Sequence, residues 1–378
     1  MEERPTGSVR EQFAALRDPR VERTRRHELV DIITIALCAV ICGADSWVEI
    51  ETFGRAKEAW LRTFLALPGG IPSHDTFGRV FAALDAEQFE RCFLAWVEAG
   101  TRAGPGEVIA VDGKAVRRSA DARAGRGPLH LVSAWATERG IALGQVAVAA
   151  KSNEITALPL LLNALALEGC VVTMDAMGCQ TEVARTIRER DADYVLAVKG
   201  NQPWLAEDLT EFFAEAQTLA FADLAHTTAR TVDSDHGRLE IRQVWASDDP
   251  EALAYIDPQQ RWAGLRSVAM VQAERRMGAT VSHQTRYYIS SLPGDAQTLG
   301  AAIRRHWAVE NNLHWVLDIA FNEDQCRART GHAAENFAIL RRCALNLFRR
   351  ETTARIGIKA QRLKAGWDDA YLAAVLRA

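Results

Sequence analysis

Short apolar segments follow one another between residues 108 and 198, and they limit the fold more than any other feature of the chain. Their length, their β-branched residues and the Gly, Asn and Asp residues between them predict strands. Two longer segments have helical spacing and predict helices. The predicted order is three strands, a helix, a strand, a helix and a strand. The strands are 108–112, 129–137, 141–149, 170–175 and 194–198, and the helices are 153–167 and 181–190.

This order predicts an α/β protein with a mixed sheet, because three antiparallel strands are followed by two βαβ units. It is the order of a ribonuclease-H-like fold. Asp112 and Asp175 end two of the apolar strands, and in such a fold they end adjacent strands at one edge. Carboxylates so placed suit two Mg²⁺ ions about 3.5–4 Å apart, which clamp the attacking and leaving oxygens of a phosphoryl transfer.

A further acid lies in a segment predicted to be helical, residues 297–321. His306, Glu310, His314 and Asp318 recur at steps of four, which places side chains on nearly one face of an α-helix. The spacing of His306, Glu310 and His314 also resembles that of zinc ligands. Two aspartates at strand ends suit Mg²⁺ or Mn²⁺ better.

Several motifs in a fixed order resemble those of DDE transposases of the IS4-like superfamily, and more narrowly the ISAs1 family of the H-repeat-associated type. A series of motifs is more specific than any single one. The motifs are IAVDGK at 109–114, TMDAMGCQ at 173–180, DYVLAVKGNQ at 193–202, His236-Gly237-Arg238 with Glu240 and Arg242, and the segment 304–324.

The resemblance implies that Asp112, Asp175 and Glu310 are catalytic and bind two Mg²⁺ ions, with Mn²⁺ as a substitute. The implied reaction is DNA cleavage at terminal inverted repeats and strand transfer into target DNA, by a homodimer on double-stranded DNA. The IS4-like signature has Tyr, Arg and Lys around its glutamate, where this chain has Ile303, His306 and Leu317. The predicted DNA-binding residues are Lys114, Arg117, Lys199, Asn201, Gln202, Arg305, His306, Asn311, His314, Arg327 and Arg329. Trp204 and Trp307 are candidates for stacking on a base, with a core position as the alternative.

The first 100 residues are predicted to be a flexible basic arm, 1–28, followed by a helical domain, 29–100. Ser73 is a good N-cap for a helix at 73–84. This helix, with His74, Asp75 and Arg79 exposed, could be the recognition helix of a helix-turn-helix. A helical support or dimerisation module is the alternative.

The remaining chain is predicted to complete the catalytic domain, 107–202 and 296–350, around a β-rich insertion, 203–295, with a helical tail, 351–378. Strands are predicted at 238–245, 266–274 and 280–291, and helices at 203–224, 333–350 and 367–377. His236, Arg238, Glu240 and Arg242 form a charged face that is either solvated or lies along DNA. The same two alternatives hold for the four arginines of the helix at 333–350: Arg341, Arg342, Arg349 and Arg350.

The overall charge is −4, which does not favour a DNA-binding protein, but the charge is uneven. Residues 304–364 contain twelve Lys and Arg against six acids, which provides a basic region for phosphates. The seven cysteines have no metal-binding spacing and fit buried thiols in a reducing compartment. No signal peptide or membrane span is predicted, so we expect a cytoplasmic bacterial protein that joins the nucleoid when it binds DNA.

Two alternatives to an active transposase stay open. One is a non-catalytic DNA-binding protein derived from a transposase, which the intact Asp112, Asp175 and Glu310 disfavour. The other is a metal-dependent nuclease of ribonuclease-H-like fold that acts on RNA or small phosphoesters. The basic C-terminal helices and the helical N-terminal region favour long DNA instead.

Overall fold

The computed structural model describes residues 9–100, 103–121, 125–148, 154–222, 224–235 and 237–378. Within these ranges the strands are β1 Val108–Val116, β2 Leu129–Ala136, β3 Ile141–Ala147, β4 Val171–Met174, β5 Asp193–Val198, β6 Thr227–Asp235, β7 Arg238–Ser247, β8 Ser267–Met277 and β9 Thr280–Ser290. The helices are α1 Val9–Phe13, α2 Leu29–Ile41, α3 Trp47–Ala56, α4 Glu58–Leu61, α5 His74–Ala83, α6 Ala86–Gly100, α7 Glu154–Ala164, α8 Thr181–Glu189, α9 Pro203–Thr218, α10 Pro250–Ile256, α11 Ala296–His306, α12 Trp315–Phe321, α13 Ala333–Arg350, α14 Ile358–Trp367 and α15 Asp369–Arg377.

The predicted order of elements is confirmed. From β1 to β5 the chain forms three strands, α7, a strand, α8 and a strand, which is the ribonuclease-H-like order in a mixed α/β protein. The chain divides into two compact units. Unit 1 comprises Met1–Arg102, Gly113–Ala157 and Glu310–Ala378, and unit 2 comprises Ala103–Asp112 and Leu158–Val309.

Unit 1 is a helical body built around α13. This helix packs against α2, α5, α6 and β3, and β3 pairs antiparallel with β2. Its side chains are buried on all sides from Asn336 to Phe348, as expected of a helix enclosed by others. Asn346 completes the core by exchanging two hydrogen bonds of 2.8 Å with the backbone of Ala142 in β3.

Unit 2 is a sheet with helices on both faces. Its strands are ordered β1-β4-β5-β9-β8-β7-β6, with β1, β4 and β5 parallel and the others antiparallel. Leu299, Ala302 and Ile303 of α11 pack on one face in a core with valines of five strands. Phe213 of α9 stacks on Tyr287 at 5.9 Å between ring centroids, and Tyr287 and Tyr288 alternate along β9, so α9 covers the other face.

The single helix predicted at 297–321 is wrong. The segment forms α11, a turn at Trp307, a π-helical turn Glu310–His314 and then α12. A π-helical turn contains more residues than an α-helical turn, so steps of four no longer place side chains on one face. The predicted common face of His306, Glu310, His314 and Asp318 is therefore also wrong.

The exposed basic face predicted for α13 is wrong in its first half. Arg341 and Arg342 are 1% and 0% exposed. The guanidinium of Arg341 lies over the Phe337 ring at 4.1 Å, and Arg342 binds Glu323. Their ion pair and ring contact compensate for the loss of water. Neither residue is available to DNA phosphates.

The last two arginines of α13 are less buried than Arg341 and Arg342. Arg349 and Arg350 are half-buried. Their guanidinium groups lie over the rings of Trp135 and Trp96, at 5.9 and 4.6 Å from the centroids. These contacts use the stems and faces of the side chains, so a phosphate contact by either arginine stays a prediction.

The ends of the chain are more ordered than predicted in the described ranges. The described part of the predicted flexible arm includes α1, whose Phe13 is 2% exposed and contacts Phe89 at 4.9 Å between ring centroids. Helices α14 and α15 pack in unit 1, and α14 was not predicted. The segment 203–295 extends the sheet of unit 2, because β9 pairs with β5; β6 and α10 in this segment were not predicted. No described helix is long and apolar enough to span a membrane.

Candidate active site

Asp112 and Asp175 occupy matching positions on neighbouring parallel strands of unit 2. Val108 to Val111 of β1 pair in order with Val171 to Met174 of β4, so the next residue of each strand is an aspartate. Asp112 lies within β1, and Asp175 is still extended, with φ −70° and ψ −179°. The predicted strand end at Asp112 is therefore wrong, because β1 continues to Val116. Both carboxylates nevertheless stand where the parallel pairing of β1 with β4 ends, on the carboxyl side, where open α/β sheets bind their ligands.

Side-chain alternation places this pair on the face that α11 covers. Val108 and Val171 pack in the α11 core, and Asp112 and Asp175 each follow by an even number of residues. Lys199 follows a valine of the same core by four residues and is exposed directly after β5. Three polar side chains are thus brought to one face and one edge within unit 2.

His306, the last residue of α11, contacts the strand that leads to Asp175. Its Nδ1 lies 3.1 Å from Oγ1 of Thr173. Burial lowers the pKa of His306, and the nearby charge of Asp175 opposes this effect. A neutral imidazole at this position can donate or accept a hydrogen bond, but it provides no positive charge for a phosphate. His306 is therefore better suited to supporting the edge than to the predicted DNA contact.

The loop after Asp175 is held by the residues that follow β5. The backbone N–H of Met177 donates to Oδ1 of Asp175 at 3.0 Å. Asn201 donates to the carbonyl of Ala176, and Gln202 donates to the carbonyl of Cys179 at 2.9 Å. The sequence predicts that Asn201 and Gln202 face DNA, whereas these bonds use their amides to position the Asp175 loop.

Gly178 is required by the same loop. A Cβ atom at this position would lie 2.7 Å from Cβ of Met174, which is closer than side chains approach in proteins. The glycine in the TMDAMGCQ motif thus allows the chain to turn tightly after Asp175. The sequence identifies this motif by resemblance, and the structure provides its steric reason.

The pair of aspartates suits hard divalent cations, which prefer carboxylate oxygens. Among the described residues, no group of three or more His, Cys, Asp and Glu side chains is already arranged to hold a metal ion. The edge of unit 2 therefore provides two protein oxygen donors, and further ligands would have to come from elsewhere in the chain or from substrate.

Two tryptophans flank the predicted site segments in unit 2. Trp204, at the start of α9, is 74% exposed, so the core alternative is wrong for this residue. Trp307 is 38% exposed. Exposure leaves stacking on a base open for both, and it stays a prediction.

Unit 1 contains the third predicted acid. Glu310 is exposed at the start of the π-helical turn, followed by the exposed Asn311 and the half-buried His314. Single π-helical turns occur frequently at functional sites. Arg305, five residues before Glu310 in the chain, is exposed in unit 2, and the intervening Val309 is buried.

Lys114 does not fulfil its predicted role as a phosphate contact. In unit 1 its ammonium forms ion pairs with Asp318 and with Glu323, the latter at 3.0 Å, and its side chain is 9% exposed. Glu323 also binds Arg342 at 3.1 Å, and Arg342 donates to the Ser133 hydroxyl at 3.2 Å. We call Lys114, Asp318, Glu323 and Arg342 the buried ion network. Two carboxylates already neutralise Lys114, so its charge is committed to the fold.

The pKa values of the two acids reflect this network. Burial alone would raise the pKa of Glu323, but the charges of Arg342 and Lys114 outweigh it and lower the pKa to about 2. Burial raises the pKa of Asp318 against the opposing effect of Lys114. Sequence spacing makes Asp318 an alternative to Glu310 as the catalytic acid. Its ion pair with Lys114 instead gives Asp318 a structural role.

Three predicted DNA-binding arginines lie on exposed loops of unit 1. Arg117 is 82% exposed and pairs with Asp324 at 3.2 Å. Arg327 is exposed, and Arg329 donates to the carbonyl of Arg118 at 2.8 Å. The last two arginines line a cleft of about 590 Å³ together with His74 and Arg79 of α5. The predicted recognition helix thus borders a cleft within its own unit, which Asp45 and Asp75 line as well as the arginines.

Helix α5 begins as predicted. Ser73 is its N-cap and accepts a hydrogen bond from the Thr76 N–H, and its apolar stripe is buried. His74 binds Glu51 at 2.7 Å, while Arg79 is exposed. These contacts fit a DNA-facing helix and a support helix equally, so DNA recognition by α5 stays a prediction.

The charged face predicted on β7 is partly neutralised. His236 lies outside the described residues. Arg242 forms ion pairs with Asp233, at 2.8 Å, and with Glu240. Arg238 is exposed. The described part of this face therefore has most of its charge paired within the sheet.

Comparison with known proteins identifies the family. The model of a "Transposase DDE domain" matches residues 103–347, and a model described as "DDE_Tnp_1-associated" matches residues 10–97. The chain is 39% identical over 373 residues to "Putative transposase YncI" of Escherichia coli O157:H7, covering 98% of this chain and 94% of that protein. It is 38% identical over 354 residues to "H repeat-associated putative transposase YhhI" of Escherichia coli strain K12, covering 93% and 92%.

These matches extend over nearly the whole of each relative. The range that the domain model matches includes Asp112, Asp175 and the turn that begins with Glu310. The family prediction made from the ordered motifs is therefore confirmed. The chain belongs to the DDE transposase family and is an insertion-sequence transposase of the H-repeat-associated type.

Proposed function

We propose that this transposase cuts DNA at the terminal inverted repeats of its element and joins the freed ends to target DNA. Asp112, Asp175 and Glu310 are its proposed catalytic acids. The observation that carries the proposal is the strand register that sets Asp112 beside Asp175 at the carboxyl edge of the parallel strands.

The proposal for Glu310 has a different basis. Glu310 follows His306 by four residues, and His306 contacts Thr173 on the strand that leads to Asp175. It is exposed and begins a π-helical turn. Membership of the DDE family and the motif at 304–324 make Glu310, rather than Asp318, the proposed third acid.

Divalent metal is the proposed cofactor, with two Mg²⁺ ions and Mn²⁺ as a substitute. When bound, the metals would activate the attacking oxygen and offset the charge that develops on the phosphate. The protein's own contribution is to fix the oxygen donors. The N–H of Met177 holds Asp175 on one oxygen, and the amides of Asn201 and Gln202 fix the loop that follows it.

Double-stranded DNA is the proposed partner, as inverted repeats and as target. Cations on exposed side chains attract phosphates in a salt-dependent way. Asn311 and His314 stay proposed contacts next to Glu310. A homodimer on DNA is proposed because two ends must be cut and joined. The exposed cations proposed as contacts are Lys199 and Arg305 in unit 2 and Arg117, Arg327 and Arg329 in unit 1.

Cleavage of the element's own terminal repeat tests the proposal. Purified full-length protein and Asp112→Asn would be incubated with Mg²⁺ or Mn²⁺ and a labelled duplex that crosses the repeat boundary. Asp191→Asn, an exposed aspartate in a turn of unit 2, is the matched control. We expect cuts at the boundary by wild type and the control, and none by Asp112→Asn.

Other outcomes identify the alternatives. Repeat binding without cutting by any of the three proteins would indicate a DNA-binding protein derived from a transposase. Cutting without preference for the repeat would indicate a general nuclease. Equal cutting by wild type and Asp112→Asn would remove Asp112 from the site.

A further inference from the structure

Arg286 of β9 lies at the same edge of unit 2 as the aspartates. Val198 of β5 pairs with Tyr287, so the next position along β5, Lys199, is level with Arg286. Tyr288 packs in the α11 core, and Arg286 precedes it by two residues, so Arg286 points to the face that α11 covers. Arg286 therefore shares both the face and the edge of Asp175 and Lys199.

The contacts of Arg286 leave its positive charge without an acidic partner among the described residues. Its guanidinium lies over the Trp307 ring, 4.6 Å from the centroid, and Nη2 donates to Oε1 of Gln284 at 2.9 Å. Its Nε is buried and has no hydrogen-bond acceptor in the described part of the chain. The ion pairs of the neighbouring strands join other residues. A partly buried cation without a carboxylate is costly unless a ligand completes it.

Arg286 is also close to the histidine at the edge. Burial lowers the pKa of His306, the charge of Arg286 adds to this effect, and Asp175 acts in the opposite direction. The charges of Arg286 and Asp175 thus both affect the pKa of His306, so all three side chains lie near one another. Trp307 keeps the guanidinium plane fixed, which reduces the conformational entropy lost when a ligand binds.

We infer that Arg286 binds a phosphate group of the DNA end at this edge, and this inference rests on the proposed function. A guanidinium can donate two parallel N–H bonds to one phosphate, which sets its orientation as well as its position. Trp307 and Gln284 hold the group, while its remaining donors contact the phosphate. Arg286 is the only Lys or Arg in the sequence of β9.

Binding to a duplex with single neutral phosphates tests the inference. The duplex carries the terminal repeat, and one phosphate at a time near the boundary is replaced by methylphosphonate. Wild type and Arg286→Gln are compared in Ca²⁺, and Arg276→Gln on β8, an exposed arginine paired with Glu274, is the control. We expect Arg286→Gln to weaken binding about tenfold, as for a lost charge-assisted hydrogen bond.

The pattern of the substitutions identifies the contact. At one phosphate, neutralisation should weaken wild type and Arg276→Gln but have no further effect on Arg286→Gln. Equal losses in all three proteins at every phosphate would overturn the inference. Should Arg286→Gln fail to fold, Arg286→Met replaces it, since Met keeps an apolar stem beside Trp307 and removes the charge. Loss of sensitivity at one phosphate in Arg286→Met would support the contact, and sensitivity equal to that of wild type at every phosphate would overturn it.

Cleavage assays separate this inference from the proposed function. If Asp112→Asn is inactive while Arg286→Gln binds and cuts like Arg276→Gln, only the role of Arg286 fails. If Asp112→Asn cuts normally, the proposed catalytic site itself fails. A purely structural role of Arg286 beside Trp307 would lower thermal stability without any dependence on a particular phosphate, and that result would overturn the inference.

Discussion

Strand β1 contains two charged residues, Asp112 and Lys114, whose surroundings differ. Lys114 is part of the buried ion network of unit 1, where Asp318 and Glu323 neutralise it. Asp112 stands at the edge of unit 2 in register with Asp175, so two charges of the same sign lie side by side. Two residues apart, the same strand contributes one charge to the ion network of unit 1 and one to the proposed catalytic site.

The partners of each charge distinguish a structural role from a proposed functional one. Buried charges persist when each has a partner of opposite sign, and the network meets this condition. The like charges of Asp112 and Asp175 repel each other and bring no stability of their own, and this supports the proposal that the pair binds a ligand. Sequence position alone does not distinguish the two cases. Substitutions in the buried ion network should therefore lower mainly the stability of the protein. Substitutions of Asp112 or Asp175 should lower mainly its activity.

The largest effect is expected from Asp175→Ala. Cleavage of the terminal repeat should fall by more than about 10³-fold, since a donor for the metal ions is lost. The melting temperature should change little, because the hydrogen bond from the Met177 N–H lies in an exposed loop. Parallel cleavage and thermal-melting assays check both results. A large fall in melting temperature would place Asp175 with the structural charges.

The next effect is expected from Glu323→Ala. Removing this carboxylate leaves Lys114 and Arg342 buried without their shared partner, which should cost about 3–5 kcal/mol in the free energy of unfolding. Urea denaturation measures it. Glu182→Ala, which removes an exposed pair with Arg185, is the control and should have little effect. An unchanged midpoint for Glu323→Ala would show that the network is dispensable.

A pH-dependent effect is expected from Glu90 of unit 1. Burial raises its pKa to about 8, although the Gln145 N–H and Arg342 oppose the shift. The folded state holds this proton more tightly than the unfolded state, so stability falls as pH rises from 4.5 to about 8. The slope for one group is at most about 1.4 kcal/mol per pH unit.

Glu90→Gln should remove this slope and be more stable than wild type at pH 9. Urea denaturation at pH 5, 7 and 9 measures it. Glu87→Gln, an exposed position on the same helix, is the control and should keep the wild-type slope. Parallel curves for wild type and Glu90→Gln would show that Glu90 ionises alike in both states.

The smallest effect is expected from Arg327→Ala at the cleft of unit 1. Affinity for duplex DNA should fall similarly for all sequences, and the salt dependence of log K should decrease by about one. Titrations at several salt concentrations measure it. Stability should not change, because Arg327 is exposed. An unaltered salt dependence would exclude a phosphate contact by Arg327.

The order of strands and helices from β1 to β5 and the neighbouring positions of Asp112 and Asp175 could be predicted because they depend on local patterns. Apolar segments of five or six residues indicate strands, and an acid directly after each indicates an edge. The break after His306 could not be predicted, because the apolar residues on either side keep helical spacing through the turn. Ser73 was predictable as a cap because its hydrogen bond is local.

Partners distant in sequence explain the failures. The predicted exposure of Arg342 is wrong because Glu323, its ion-pair partner, is contributed by another element. Lys114 and Glu323 are 209 residues apart. Arg286 was missed because one arginine in a strand has no spacing signal. In the sequence, only its isolation among the uncharged residues of β9 distinguishes it.

The π-helical turn Glu310–His314 makes the orientation of the flanking segments depend on the number of residues between them. Such a turn is equivalent to an α-helix that has gained one residue. Removing a residue would return the segment to α-helical winding and rotate everything on one side by about 100° relative to the other. Between His306 and Asp318, a change of side chain should therefore be tolerated more readily than a change in the number of residues. For this segment, a single-residue deletion should be less tolerated than most substitutions, although many of its residues are exposed.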